Sequence, residues 1–215
     1  MKKIAVILSG CGHLDGSEIH EATMSLWAIH KNGAEFHCFA PNKQQHTVNH
    51  CTGEEQNDTR NVLIESARIA RGKISDLNLY KAEDYDALLL PGGFGAAKNL
   101  SSYAFAGEAM IVDPDVEKAL FDTQKAQKPI GALCIAPIIL AKIFPGVALT
   151  LGQESSAVEH AENMGANMQK TNHGQIVIDE ALKVVTSPCY MLESRVDQIG
   201  DGAEAVVKAL LELCN

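Results

Sequence analysis

Apolar residues along this chain gather into short continuous runs instead of alternating with polar ones. Ile4-Ala-Val-Ile-Leu8, Tyr85-Asp-Ala-Leu-Leu-Leu90 and Pro129-Ile-Gly-Ala-Leu133 are such runs, as strands covered on both faces require. They predict strands over Lys3–Ser9, Tyr85–Leu90 and Pro129–Leu133. Ala34–Ala40, Gly146–Gly152, Ile176–Ile178 and Lys183–Thr186 add further strands, with Asp76–Tyr80 a short edge strand. Between these runs the apolar spacing lengthens to that of helices. Ser17–Asn32 has Ser17 to cap its start and Gly33 to end it. Further helices are expected from Asp58 or Thr59 to Arg71, over Asp113–Ala126, from Ile135 onward, over Ser155–Met164 and over Gly202–Cys214. Pro41–Asn57 is polar throughout and predicts a solvated loop. Strands and helices alternate along most of the chain, which argues a mainly parallel, doubly wound α/β sheet with helices on both faces.

Composition narrows the function. A chain of 215 residues fits a single α/β domain, residues 1–215, that can bury a core without staples. The net charge of −9 argues against a nucleic-acid partner, which needs a basic patch. No apolar run approaches the ~20 residues of a membrane span. Ile4–Leu8 is followed by polar, glycine-rich Gly10–Ser17, so the start reads as a strand rather than a signal peptide, and cytoplasmic residence is expected. The six cysteines, at 11, 38, 51, 134, 189 and 214, form no C-x-x-C pair and read as reduced thiols. His46, His50 and Cys51 lack a fourth ligand and sit on poor helix material, so no metal and no cofactor is expected. Gly10-Cys-Gly-His-Leu-Asp-Gly16 misses the dinucleotide fingerprint, since Asp15 stands where its third glycine belongs.

The candidate chemistry centres on Cys134, at the junction of the Pro129–Leu133 strand and the helix beyond Ile135. Ala132 and Ala136 flank it with small side chains, as a nucleophile on a sharp strand-to-helix turn needs. A helix N-terminus there favours the thiolate by ~0.3–1 kcal/mol, and up to ~2 if partly buried. The competing reading is a small buried hydrophobe. Glu18 lies in the first helical turn beyond the first strand, where open α/β sheets place ligands, although it or Glu21 could equally serve the helix dipole. Pro91-Gly-Gly-Phe-Gly95 follows a strand, and its glycines can aim N–H groups at an oxyanion. Gly92 or Gly93 would form half of such a hole and the Ile135 N–H the other half, with Lys98 nearby for substrate.

Ser9-Gly-Cys-Gly-His-Leu-Asp-Gly-Ser-Glu-Ile-His-Glu21, Pro91-Gly-Gly-Phe-Gly-Ala-Ala-Lys-Asn-Leu100 and Cys134-Ile-Ala-Pro137 together resemble the sigma cross-reacting protein family. Its bacterial members include the ElbB-like isoprenoid-biosynthesis glyoxalases, within the ThiJ/PfpI superfamily of class I glutamine amidotransferase-like folds. Asn42–Gln45, Thr59–Glu65 and Thr186–Met191 extend the similarity to nearly the whole chain. The resemblance implies a flavodoxin-like sandwich, a homodimer, and conversion of glyoxal to glycolate without glutathione or metal. It also implies Cys134 as nucleophile, Glu18 as its acidic partner and Gly93 as oxyanion donor. Amidotransferase-type relatives carry a histidine where this chain reads Leu149-Thr-Leu-Gly-Gln153, which weakens a glutaminase reading. His13, His20 and His173 are read as surface or loop residues. A redox-sensing protein and an amidotransferase-like subunit stand as the alternative functions.

Overall fold

The computed structural model describes residues 1–214. In chain order, β1 (Lys3–Ile7) leads through the glycine-rich loop into α1 (Ile19–Lys31) and β2 (Glu35–Ala40). A hairpin of β3 (Gln44–Val48) and β4 (Glu55–Asn61) precedes α2 (Val62–Ile69) and β5 (Ile74–Asp76). Next come β6 (Ala87–Leu90), the short helices α3 (Phe94–Lys98) and α4 (Tyr103–Ala106), α5 (Pro114–Lys125), β7 (Ile130–Leu133) and α6 (Pro137–Ile143). The last part holds β8 (Ala148–Leu149), α7 (Ser156–Asn163), β9 (Asn167–Met168), β10 (Val177–Asp179), β11 (Val184–Ser187) and α8 (Val196–Leu213).

Seven strands form the central sheet in the order β10-β11-β7-β6-β1-β2-β5. Its pairings are parallel except that of β10 with β11. The sequence β2-β1-β6-β7-β11 puts the first strand between the second and third, which is the flavodoxin-like order. Residues of β6 and β7 are buried without interruption, and so is β1 after Lys3, so both faces of the sheet are covered. Gly131 of β7 lets α8 approach. A Cβ there would lie 2.8–3.0 Å from the side chains of Leu89, Leu210 and Val206. Gly131→Ala therefore overpacks the core, at a cost of ~1–3 kcal/mol.

The structure corrects several expected boundaries. The solvated loop over 41–57 is in part the β3–β4 hairpin, with Gln45, Thr47 and Val48 buried. β4 takes over Asp58–Asn61, so α2 starts only at Val62, capped by the Asn61 side chain on the Ile64 N–H. Glu18, not Ser17, caps α1, accepting from the Glu21 N–H. The Gly146–Gly152 strand shrinks to Ala148–Leu149, paired with β9 outside the main sheet. The short edge strand falls at Ile74–Asp76 instead, before a turn of 3-10 helix over Leu77–Leu79. The final helix begins six residues earlier than expected, at Val196 instead of Gly202.

Candidate active site

Cys134 leaves the end of β7 with φ 58°, a left-handed conformation that costs a β-substituted residue of order 1–3 kcal/mol. Its N–H is held by the Ser187 carbonyl at 3.0 Å and the turn is closed by Ala136 N–H to the Leu133 carbonyl at 3.0 Å. Neighbouring main chain thus imposes the strain that a nucleophile turn needs. The residue is 7% exposed and its side chain meets a cavity of about 600 Å³.

Two glycines make room for it. A Cβ on Gly92 would lie 2.4 Å from the Cys134 Cβ and 2.6 Å from Glu21 Oε2. A Cβ on Gly93, whose φ is 98°, would lie 2.3 Å from the Glu18 nitrogen and 2.4 Å from the Gly16 oxygen. Only glycine fits either place. The two turns are also hydrogen bonded, Glu18 N–H to the Gly92 carbonyl at 2.9 Å and Gly95 N–H to the Gly16 carbonyl at 2.9 Å. The Gly93 N–H then donates to the Cys134 sulfur.

The carboxyl group bonded to that sulfur belongs to Glu21. Glu21 is fully buried, and accepts from the N–H groups of Gly92 at 3.0 Å and Tyr190 at 3.2 Å. Burial, then the neighbouring Glu18, push its pKa up to about 8. Burial also drives the Cys134 thiol well above its ordinary value, with Glu21 and Cys189 adding to it and the Gly93 N–H opposing. A helix N-terminus alone would lower it. Burial outweighs that contribution here, and the Ala136 and Ile138 N–H groups are spent on the Leu133 and Ile135 carbonyls. Thiol and carboxyl form one coupled pair that gives up its first proton near Glu21's value.

Glu18, the expected partner, lines the cavity without taking that bond. Its Oε2 caps Glu21 N–H at 2.7 Å and its Oε1 lies 3.8 Å from His20 Nδ1. His20 and His13 both reach the cavity mouth, against expectation, and His20 Nδ1 bonds the Tyr190 hydroxyl at 2.8 Å. His173 lies apart, bonded to Ser194 at 3.0 Å. Among the described residues no histidine is bonded to Cys134.

Gly93 and Ile135 border the cavity as expected, and the Ile135 N–H has no partner among the described residues. Gly92 and Lys98 do not. The Gly92 N–H is already given to Glu21, and Lys98 faces a separate hollow with Lys43, His46 and Asp113. Neither therefore lines the cavity above Cys134. Glu21, Tyr190 and Cys189 are the residues that sequence reasoning missed. Glu21 stands one helical turn after Glu18, and Cys189 and Tyr190 lie within the Thr186–Met191 motif, so a signal existed for each.

A strained cysteine at the carboxyl ends of a flavodoxin-like sheet, facing a glycine amide, is the arrangement of a class I glutamine amidotransferase-like protein. Comparison with known proteins sharpens this. The chain is 44% identical over 98% of its length to the mitochondrial ES1 protein homolog of Rattus norvegicus, covering 84% of it. It is 43% identical over 98% of its length to the human mitochondrial glutamine amidotransferase-like class 1 domain-containing protein 3, covering 83% of that protein. It superimposes on an Ehrlichia chaffeensis isoprenoid biosynthesis protein with an amidotransferase-like domain, with TM-score 0.93, 33% identity and 100% of both chains covered. No family model matches. The chain belongs to the ES1 family of glutamine amidotransferase-like class 1 domain proteins. The rat, human and zebrafish relatives are all named mitochondrial proteins, which overturns the cytoplasmic placement expected from the sequence.

Proposed function

We propose that the protein is a glutathione-independent glyoxalase that converts glyoxal to glycolate on Cys134. The observation that carries this reading is the sulfur held between the Glu21 carboxyl and the Gly93 N–H, beside an open cavity. The Cys134 sulfur attacks one aldehyde carbon while Glu21, as carboxylate, takes the thiol proton. The alkoxide of the hemithioacetal faces the Gly93 and Ile135 N–H groups. Glu18, which borders the same cavity, then removes the hydrogen on the sulfur-bearing carbon and returns a proton to its neighbour. The product is a glycolyl thioester, and water releases glycolate and restores the thiol. The acid–base work thus divides between two carboxyl groups, with Glu21 serving sulfur and Glu18 serving carbon.

A peroxide-sensing role is less well supported, because the thiol's raised pKa keeps it in its unreactive form at neutral pH. An amidase would need a histidine base at the sulfur, and none is bonded there among the described residues. Glycolate formation from glyoxal without added thiol, compared between wild type and Cys134→Ala, is the test. Loss in the variant is expected, and full activity in it would overturn the assignment.

A further inference from the structure

Glyoxal has two carbons and two oxygens, yet the cavity above Cys134 encloses about 600 Å³. At ~30 Å³ per water in the liquid, that is room for roughly twenty waters. It lies within the ~300–1,000 Å³ typical of sites for drug-sized molecules. The excess space is walled mainly by Phe94, Ala97, Tyr103, Ala104, Ala157 and Met191. The Tyr103 hydroxyl is paired with His160 Nδ1 at 3.0 Å, and its ring borders the cavity. Phe94 is 50% exposed even though its N–H is fixed by the His13 carbonyl at 2.8 Å. An aromatic ring pinned half-open at a cavity mouth gains apolar burial when a ligand covers it.

Charge in the cavity is equally selective. No lysine or arginine lines it among the described residues, whereas Glu18 borders it. A phosphorylated or carboxylated aldehyde would bring a second anion beside that carboxylate with no lysine or arginine to receive it, the basic side chains at the mouth being His13 and His20, of which His20 Nδ1 already lies 3.8 Å from Glu18 Oε1.

We propose, building on the glyoxalase reading, that the preferred substrates are neutral α-dicarbonyls or aldehydes whose reactive carbon meets Cys134 and whose apolar body lies along Phe94, Tyr103, Ala104 and Met191. Each methylene buried in the cavity strengthens binding about threefold to fourfold, until the body outgrows it.

Two measurements separate this inference from the activity on which it builds. The first is the labelling rate of Cys134, followed by peptide mass, with iodoacetamide, N-hexyl iodoacetamide and iodoacetate. The hexyl reagent should react at least tenfold faster than iodoacetamide, and iodoacetate at least tenfold more slowly. Ala104→Trp, at an exposed wall position, should cut the hexyl advantage to threefold or less. Phe94→Ala is the second variant and should also reduce it. Equal rates for the two amides, or a hexyl advantage untouched by both variants, would overturn the inference. The second measurement is KM for glyoxal against alkyl glyoxals of increasing length, and KM should fall with length. A hexyl labelling advantage without turnover of any dicarbonyl would sink the glyoxalase reading and leave the cavity's selectivity standing. Turnover of glyoxal with no gain from longer chains would do the opposite.

Discussion

The cavity's floor and its mouth hold the same kinds of groups in different states. At the floor, Glu21 is fully buried, satisfied by two main-chain N–H groups and bonded to a thiol. At the mouth, Glu18 lies 3.8 Å from His20, which bonds the Tyr190 hydroxyl, and Phe94 lines the same cavity. The glutamates are three residues apart, and only the helix start separates them. Glu18, at φ −63° and ψ 125°, is still outside α1, so its carboxylate folds back onto the Glu21 N–H. Glu21 is inside the helix and its side chain runs down to Gly92. Burial then converts the inner carboxyl into a group that titrates near neutrality. The floor is therefore fixed by main-chain geometry, whereas the mouth is made of side chains.

The sharpest break of that comparison is Glu21→Gln, which removes the base from the floor and should lower kcat/KM for glyoxal by ~10²–10⁴-fold. The same variant has a stability signature. Glu21's folded pKa is raised from 4.5 to about 8, so its contribution to stability is full below the lower value and is lost as pH rises through the higher. Melting temperatures of wild type should fall across that window, and those of the variant should stay flatter. Next comes Gly92→Ala, whose Cβ would lie 2.4 Å from that of Cys134. Displacing the sulfur by about 1 Å should cost on the order of 10²-fold. In wild type, kcat/KM should rise with pH to a plateau above about 8, where the pair has lost its first proton. A profile flat from pH 6 to 9 would contradict the pairing. Lys98→Ala is the smallest, with kcat and KM expected to stay within about twofold because the lysine faces another hollow.

Much of the floor was legible from sequence. Strands covered on both faces need unbroken apolar runs, and Ile4–Leu8, Leu88–Leu90 and Ile130–Leu133 have them. Small residues on either side of Cys134 announced its turn. The β3–β4 hairpin was not legible, because every residue of Glu55–Arg60 is exposed and no apolar pattern marks the strand. The choice between Glu18 and Glu21 was hidden too. It depends on which residue caps α1 and on the Tyr190 N–H, which arrives from 169 positions along the chain.

The donors that hold this sulfur come from segments that meet only in the native chain, and that has a protective consequence. An unstructured cysteine ionises near 9 and reacts indiscriminately with electrophiles, whereas burial holds the folded Cys134 thiol above that value. Folding therefore hushes the thiol toward stray reagents, and melting the protein should restore its promiscuity.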